Sequence, residues 1–296
     1  MNLSQLSQRT LLWLTASVTA GVMIACQHSS HQGNKPHGNA VPLPHATANS
    51  HGHADHPGGQ PSSSSPQAQA KLISPSQVSP NQPVPITIEI QNAQGQPISK
   101  FDQFQEQLMH LIVVSNDFHY FNHIHPEYQQ KGRFTITMTV PRPGGYTLFS
   151  DYKPSQQSEI VSTLNLQAKG PTPSPPSVDF RRTRTAGNLT ASLAIAPTSV
   201  KAKQVVTLTF NLVDAQSLLP ITDLKPYLGE RGHLVILRQS PTLSSADYIH
   251  AHALLGAQNG QVQFQTTFPE PGLYKLWGQF NRNDQIITVD FWVEVI

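Results

Sequence analysis

Two stretches of this chain repeat one another around histidines. Met109-His110-Leu111-Ile112-Val113-Val114 is followed by Phe121-Asn122-His123-Ile124-His125-Pro126, and Gly232-His233-Leu234-Val235-Ile236-Leu237 is followed by Tyr248-Ile249-His250-Ala251-His252. Each is an apolar run of strand length opened by a histidine, then a His-x-His segment. Successive side chains of a strand point to opposite faces, so His123 and His125 share a face, and so do His250 and His252. If the two strands of each stretch pair or lie close, three imidazoles converge, twice in one chain.

The flanks repeat as well. Phe101 to His110 aligns without gaps on Leu224 to His233, and Phe134 to Phe149 aligns without gaps on Val262 to Trp277. Pro141, Pro143, Gly144, Tyr146 and Leu148 match Pro269, Pro271, Gly272, Tyr274 and Leu276. The repeats differ by a four-residue insertion between the first histidine and the His-x-His. A unit of about a hundred residues has the size of a domain and not of a solenoid repeat, so the chain carries a tandem duplication.

Composition narrows the class. The 296 residues hold 19 Lys+Arg against 17 Asp+Glu, a net charge of +2 that gives no strong argument for nucleic acid. Charged residues make up 12%, about half the usual ~25% of soluble proteins, and prolines number 25. Helix-period patterns are scarce. Strand-like runs at 85–90, 134–140, 146–152 and 159–167 join the histidine strands of the first repeat. Runs at 189–195, 205–213, 262–268, 274–280 and 286–295 do so in the second, while 101–107 reads as a loop or one helical turn. About seven short strands per unit predict an all-β chain of two tandem immunoglobulin-like or cupredoxin-like β-sandwich domains. In Pro-x-Pro-Gly-x-Tyr-x-Leu the tyrosine hydroxyl is expected to bond a backbone carbonyl, which makes Tyr146 and Tyr274 structural. The histidine strands are apolar on both faces (Ile112 and Val114 against Leu111 and Val113), which leaves one face for the neighbouring domain to cover.

The expected organisation is a leader over 1–26, a disordered His-rich tether over 27–70, a first sandwich over 71–168, a Pro-rich linker over 169–187 and a second sandwich over 188–296. Arg9 followed by the apolar Leu11 to Ala25 has the form of a secretion signal and is short for a membrane span. Met23-Ile24-Ala25-Cys26 reads as a bacterial lipobox, which makes Cys26 the lipidated residue. An ordinary signal peptide with an incidental cysteine is the alternative. Cys26 is the single cysteine, so no intrachain disulfide, thiolate metal site or blue-copper centre is available. The tether carries seven histidines, densest at His51, His53 and His56. It is either a low-affinity trap for copper, zinc or nickel ions or a polar spacer. Arg181-Arg182-Thr183-Arg184 reads as a solvated or interdomain basic face.

Imidazole is a common ligand of zinc and copper, and three on rigid strands make a workable open site. The candidate ligands are His110, His123 and His125 in the first repeat and His233, His250 and His252 in the second. No carboxylate occupies one position in both repeats, since Asp151 aligns with Gln279. Met109 is an accessory soft ligand in the first repeat only, because Gly232 replaces it in the second. In the competing reading the same histidines brace the fold, the strand-opening ones donating to backbone carbonyls. No Gly-x-Ser-x-Gly, phosphate loop or nucleophile–base pair is present, so no enzyme activity is predicted.

The pattern His-(apolar strand)…Phe-x-His-x-His-Pro-Glu…Pro-x-Pro-Gly-x-Tyr-x-Leu-Phe-x-Asp, spread over 72–296, resembles a family of bacterial secreted proteins and lipoproteins. That family is described as heavy-metal- or copper-associated, with YtkA-like or cupredoxin-like sandwiches. A looser likeness is to CopC-type copper-binding proteins, whose mature N-terminal histidine is absent here. The resemblance implies the same six histidines as ligands and a copper or zinc ion as cargo, buffered or delivered at the cell surface. The protein so expected is exported and monomeric. It is held on the membrane through Cys26, at the outer membrane or its periplasmic side in a Gram-negative cell, and takes a metal donor or acceptor protein as partner. The alternative is a non-catalytic envelope interaction or structural protein whose histidines brace the fold.

Overall fold

The structure, a computed structural model, describes residues 68–296 apart from Pro176. The leader, Cys26 and the tether histidines His51, His53 and His56 lie outside the described residues. Among the described residues no helix is long and apolar enough to cross a membrane.

Period-2 patterning builds the first sandwich. In one sheet, β1 (Ala68–Ser74), β3 (Val84–Asn92), β7 (Arg133–Met138) and β6 (Glu127–Tyr128) are neighbours in that order. The facing sheet runs β2 (Gln77–Val78), β9 (Ile160–Ala168), β8 (Gly144–Tyr152), β4 (Met109–Ser115) and β5 (Phe121–Ile124). Ile86, Ile88 and Ile90 of β3 meet Leu111 and Val113 of β4 and Leu148 of β8 in one core. The second sandwich repeats the plan. One sheet runs β10 (Thr183–Ala186), β11 (Leu189–Ala196), β12 (Val205–Asp214) and β16 (Gln261–Thr267). The other runs β13 (Leu224–Lys225), β17 (Gly272–Arg282), β14 (His233–Arg238) and β15 (Tyr248–His252), with β18 (Gln285–Val295) also on β17. Leu208, Phe210, Leu234, Leu276 and Phe291 lie in its core.

Boundaries shift slightly from the sequence expectation. β1 begins at Ala68, inside the stretch read as tether, and β10 forms inside the stretch read as linker. Residues 101–107 are neither helix nor open loop. Phe104 and Gln107 exchange two backbone bonds of 3.0 and 3.1 Å around Gln105 and Glu106, whose φ values are +47° and +64°. Tyr227 and Glu230 repeat that hairpin around Leu228 (φ +52°) and Gly229 (φ +78°). The tyrosine corners form as expected, Tyr146 donating to the Arg142 carbonyl at 2.8 Å and Tyr274 to that of Glu270 at 2.6 Å.

Every residue of β4 is buried, because its sheet is covered on both sides. Leu111 and Val113 face their own sandwich, while Ile112 and Val114 cluster with Val235 and Leu237 of β14. Trp277 stacks on Phe121 with ring centroids 4.8 Å apart, and Phe149 stacks on Tyr248 at 5.2 Å. Lys275 crosses the same contact, its Nζ donating to the Phe118 carbonyl at 3.0 Å. The two histidine-bearing sheets therefore pack face to face, and each large apolar side chain buried there stabilises the contact by roughly 1.5–3 kcal/mol. Equivalent residues of the two repeats meet, as in the self-complementary contact of a two-fold dimer.

Candidate metal centre

Strand geometry delivers the histidines to this inter-repeat face. His110 shares a face of β4 with Ile112, which is paired with His123 of β5. In the second repeat His233 pairs with His252 and Val235 with His250. On the other flank of each histidine strand, His110 pairs with Asp151 and His233 with Gln279. Since the sheets face one another, the sets meet. The ring centroids of His110 and His250 are 5.7 Å apart, those of His123 and His233 5.9 Å, and those of His123 and His250 6.0 Å. Two separate triads on paper form one six-histidine cluster in the fold. His119 stays outside it, exposed and bonded to Asp117.

The carbonyl partners fix the tautomers of His110 and His233. A carbonyl oxygen only accepts, so Nε2–H of His110 donates to the Phe104 carbonyl at 3.2 Å, and Nε2–H of His233 to that of Tyr227 at 2.8 Å. Nδ1–H of His123 donates to Oε1 of Gln279 at 2.8 Å, and Gln279 keeps its amide nitrogen on the Thr288 hydroxyl. Nδ1–H of His250 donates to Oδ2 of Asp151 at 3.3 Å. A neutral imidazole has one N–H, so each remaining nitrogen presents a lone pair. With all four outer nitrogens donating, the inner ones face each other, Nδ1 of His110 standing 3.0 Å from Nε2 of His123 and Nδ1 of His233 3.3 Å from Nε2 of His250. Two nitrogens bound tetrahedrally at the usual 2.0–2.1 Å stand about 3.3 Å apart. Carbonyl and carboxylate partners on the outer nitrogens are those that orient metal-ligating histidines in general, and Gln279 adds a side-chain amide.

His125 completes the first set. One ligand atom each from His110, His123 and His125 lies within 4.8 Å of the others, a group that could hold a metal ion. Nε2 of His125 is buried without a hydrogen-bond partner. His252, its counterpart, is exposed and meets the side-chain amide of Gln105, with Nε2 of Gln105 2.6 Å from the ring Nδ1. The residue matching Gln105 in the second repeat is Leu228, which offers no such group to His125. Met109 is a correction to the sequence reading. As the neighbour of His110 it points to the opposite face of β4, where it is fully buried in the first sandwich core, and takes no part in the site.

Burial keeps these rings neutral, the form that ligates metal. It lowers His110 to about 2 and His125 and His233 to about 4, and holds His123 and His250 well below the usual histidine range. Burial likewise raises the Asp151 carboxyl to about 7. This carboxyl is 2% exposed, accepts from the Tyr248 hydroxyl at 3.2 Å, and leaves Oδ1 buried and unpartnered.

Sequence reasoning missed Asp151 and Gln279 as outer partners because it looked for one residue type at one position of both repeats. Their place opposite the strand-opening histidines was the available signal. The carbonyls of Phe104 and Tyr227 carry no side-chain signature and come from the hairpin geometry alone.

One family profile, described as a domain of unknown function (DUF8832), matches residues 66–169 and 184–296, one stretch for each sandwich. Among curated proteins none matches the chain in sequence. Solved structures give distant likenesses. The Escherichia coli adhesin FdeC is 17% identical with a TM-score of 0.26, over 79% of this chain and 65% of that one. Trypsin-activated alpha-2-macroglobulin from Escherichia coli is 12% identical with a TM-score of 0.27, over 77% and 16%. Invasin, a bacterial integrin-binding protein, is 12% identical with a TM-score of 0.23, over 76% and 39%. The chain thus spans less than two thirds of each of these longer chains.

Proposed function

From the premise that this chain belongs to the DUF8832 family, with a matched stretch in each sandwich, we propose that it is an exported metal-binding protein. Its cargo is a copper or zinc ion taken up at His110, His123 and His125, then buffered or handed to a partner protein in the cell envelope. In this reading Cys26 is the lipid anchor, the tether histidines collect metal at low affinity, and the protein catalyses no reaction.

The observation that carries the reading is the 3.0 Å approach of Nδ1 of His110 to Nε2 of His123 in a buried group of three histidines. With the outer nitrogens of both rings donating, the two inner lone pairs face each other and repel unless a cation lies between them. The unpartnered Nε2 of His125 beside them supplies the third donor. Three neutral nitrogens with no thiolate or thioether suit the borderline ions.

A second reading, in which the histidines brace the fold, is favoured by the bonds of His110 and His233 to the Phe104 and Tyr227 carbonyls. Competition of the full chain with chromophoric chelators for Cu(I), Cu(II) and Zn(II) separates the two. His125 bears no structural hydrogen bond at Nε2, so H125A is expected to fold and to lose one tightly bound ion. Equal binding by wild type and H125A would transfer the histidines to the bracing role.

A further inference from the structure

We propose that five of the six histidines form one two-ion centre across the inter-repeat contact, with His252 outside the donor set. In it His233 and His250 hold a second ion of the copper or zinc class, and Asp151 of the opposite repeat is the anion behind it. This deepens the metal reading above and rests on it.

The second pair repeats the donor arrangement independently. Nδ1 of His233 and Nε2 of His250 stand 3.3 Å apart, and their outer nitrogens are engaged by the Tyr227 carbonyl and the Asp151 carboxylate. Both rings are shielded, His233 being 1% exposed and the His250 side chain 7%. Asp151 is the independent observation. A buried carboxyl with one oxygen unpartnered is costly by itself, yet it is placed where a carboxylate–histidine–metal relay would place it. The closeness of the His123 ring to those of His233 and His250 makes the two ions neighbours in one centre.

The halves are chemically unequal. The first ion has three histidines, with the neutral amide of Gln279 behind His123. The second has two histidines with a carboxylate behind His250, because His252 is turned to Gln105 at the surface. Two protein ligands leave coordination positions open to water or to an incoming ligand, so the second ion is the exchangeable one, with the exposed His252 ring stacked on His250.

The test uses the full chain with Cu(II) as the probe, counting bound ions and recording electron paramagnetic resonance. Tether ions are common to all variants and cancel in the differences. H233A and H250A should each bind one ion fewer than wild type, as should H125A. The loaded wild type should show a spin-coupled signal that collapses to an isolated Cu(II) signal in every one of these variants. D151N should weaken the second ion roughly 10–100-fold and leave the first unchanged. If H125A loses an ion while H233A and H250A lose none, the second ion is refuted and the single-site reading stands. If no variant loses an ion, both fail. Loss of ions without spin coupling in the wild type would overturn the shared centre in favour of two separate sites. The coupling measurement needs no variant, so it decides the matter even if H233A, which gives up the Tyr227 bond, does not fold.

Discussion

Oδ2 of Asp151, on the first sandwich, accepts from Nδ1 of His250, on the second, at 3.3 Å. Both hydrogen-bond partners of this carboxyl, Tyr248 and His250, belong to the other repeat. Gln279 returns the contact by holding His123. One histidine of each set, His123 and His250, is therefore oriented by the opposite domain, while His110 and His233 are held by carbonyls of their own.

Asp151 should cost the metal-free protein stability. Its folded value of about 7 lies above the unfolded value near 3.8, so the folded state holds the extra proton between those limits and stability falls as pH rises through that window. D151N keeps the shape and cannot ionise. It is expected to raise metal-free stability by on the order of 1 kcal/mol at pH 8 and to change it little at pH 4, measured by urea denaturation.

The histidines act in the opposite direction. His110, His123, His125, His233 and His250 all have folded values below the unfolded 6.5, so below pH 6.5 the unfolded state binds more protons and stability falls with acid. Each contributes up to about 1.4 kcal/mol per pH unit until its folded value is reached. The five together outweigh the single carboxyl. Denaturation midpoints of metal-free protein should drop from pH 7.5 to pH 5.5, and bound metal should flatten the profile near neutrality. A midpoint independent of pH would contradict the neutral buried cluster.

Trp277 anchors the inter-repeat contact between Phe118 and Phe121. Trp277→Ala should cost about 3–5 kcal/mol and should split a single thermal transition into two as the sandwiches separate. Limited proteolysis should cut between 169 and 182 faster than in wild type.

Tyr146→Phe and Tyr274→Phe test the corners. Each removes one bond to a backbone carbonyl and should destabilise its own sandwich by about 0.5–1.5 kcal/mol without altering the number of ions bound. Loss of metal in either variant would show that the corner reaches the site.

Much of the fold was legible because period-2 burial is written residue by residue. The alternation through Ile86, Ile88 and Ile90 gives a strand with one buried face, and the run Leu111 to Val114 gives a strand buried on both. The identity of the second cover was not legible. Alternation shows that His110, Ile112 and Val114 share a face but not what lies against it, so the six histidines read as two sets. Asp151 aligns with Gln279, a different residue type, so matching like with like between the repeats passes over both. Each of these two residues serves the opposite repeat and not its own.

The same crossing bears on how such a site could arise. A chain with a single unit of this kind could rebuild the contact only by pairing with a second copy of itself, and both copies would then present the same residue at the position of Asp151. Joining the units in one polypeptide lifts that obligation. One side can carry a carboxylate and the other an amide, one turn a glutamine at 105 and the other a leucine at 228. Covalent linkage of the halves thus gives mutation access to an asymmetry that a symmetric pair of identical chains cannot encode.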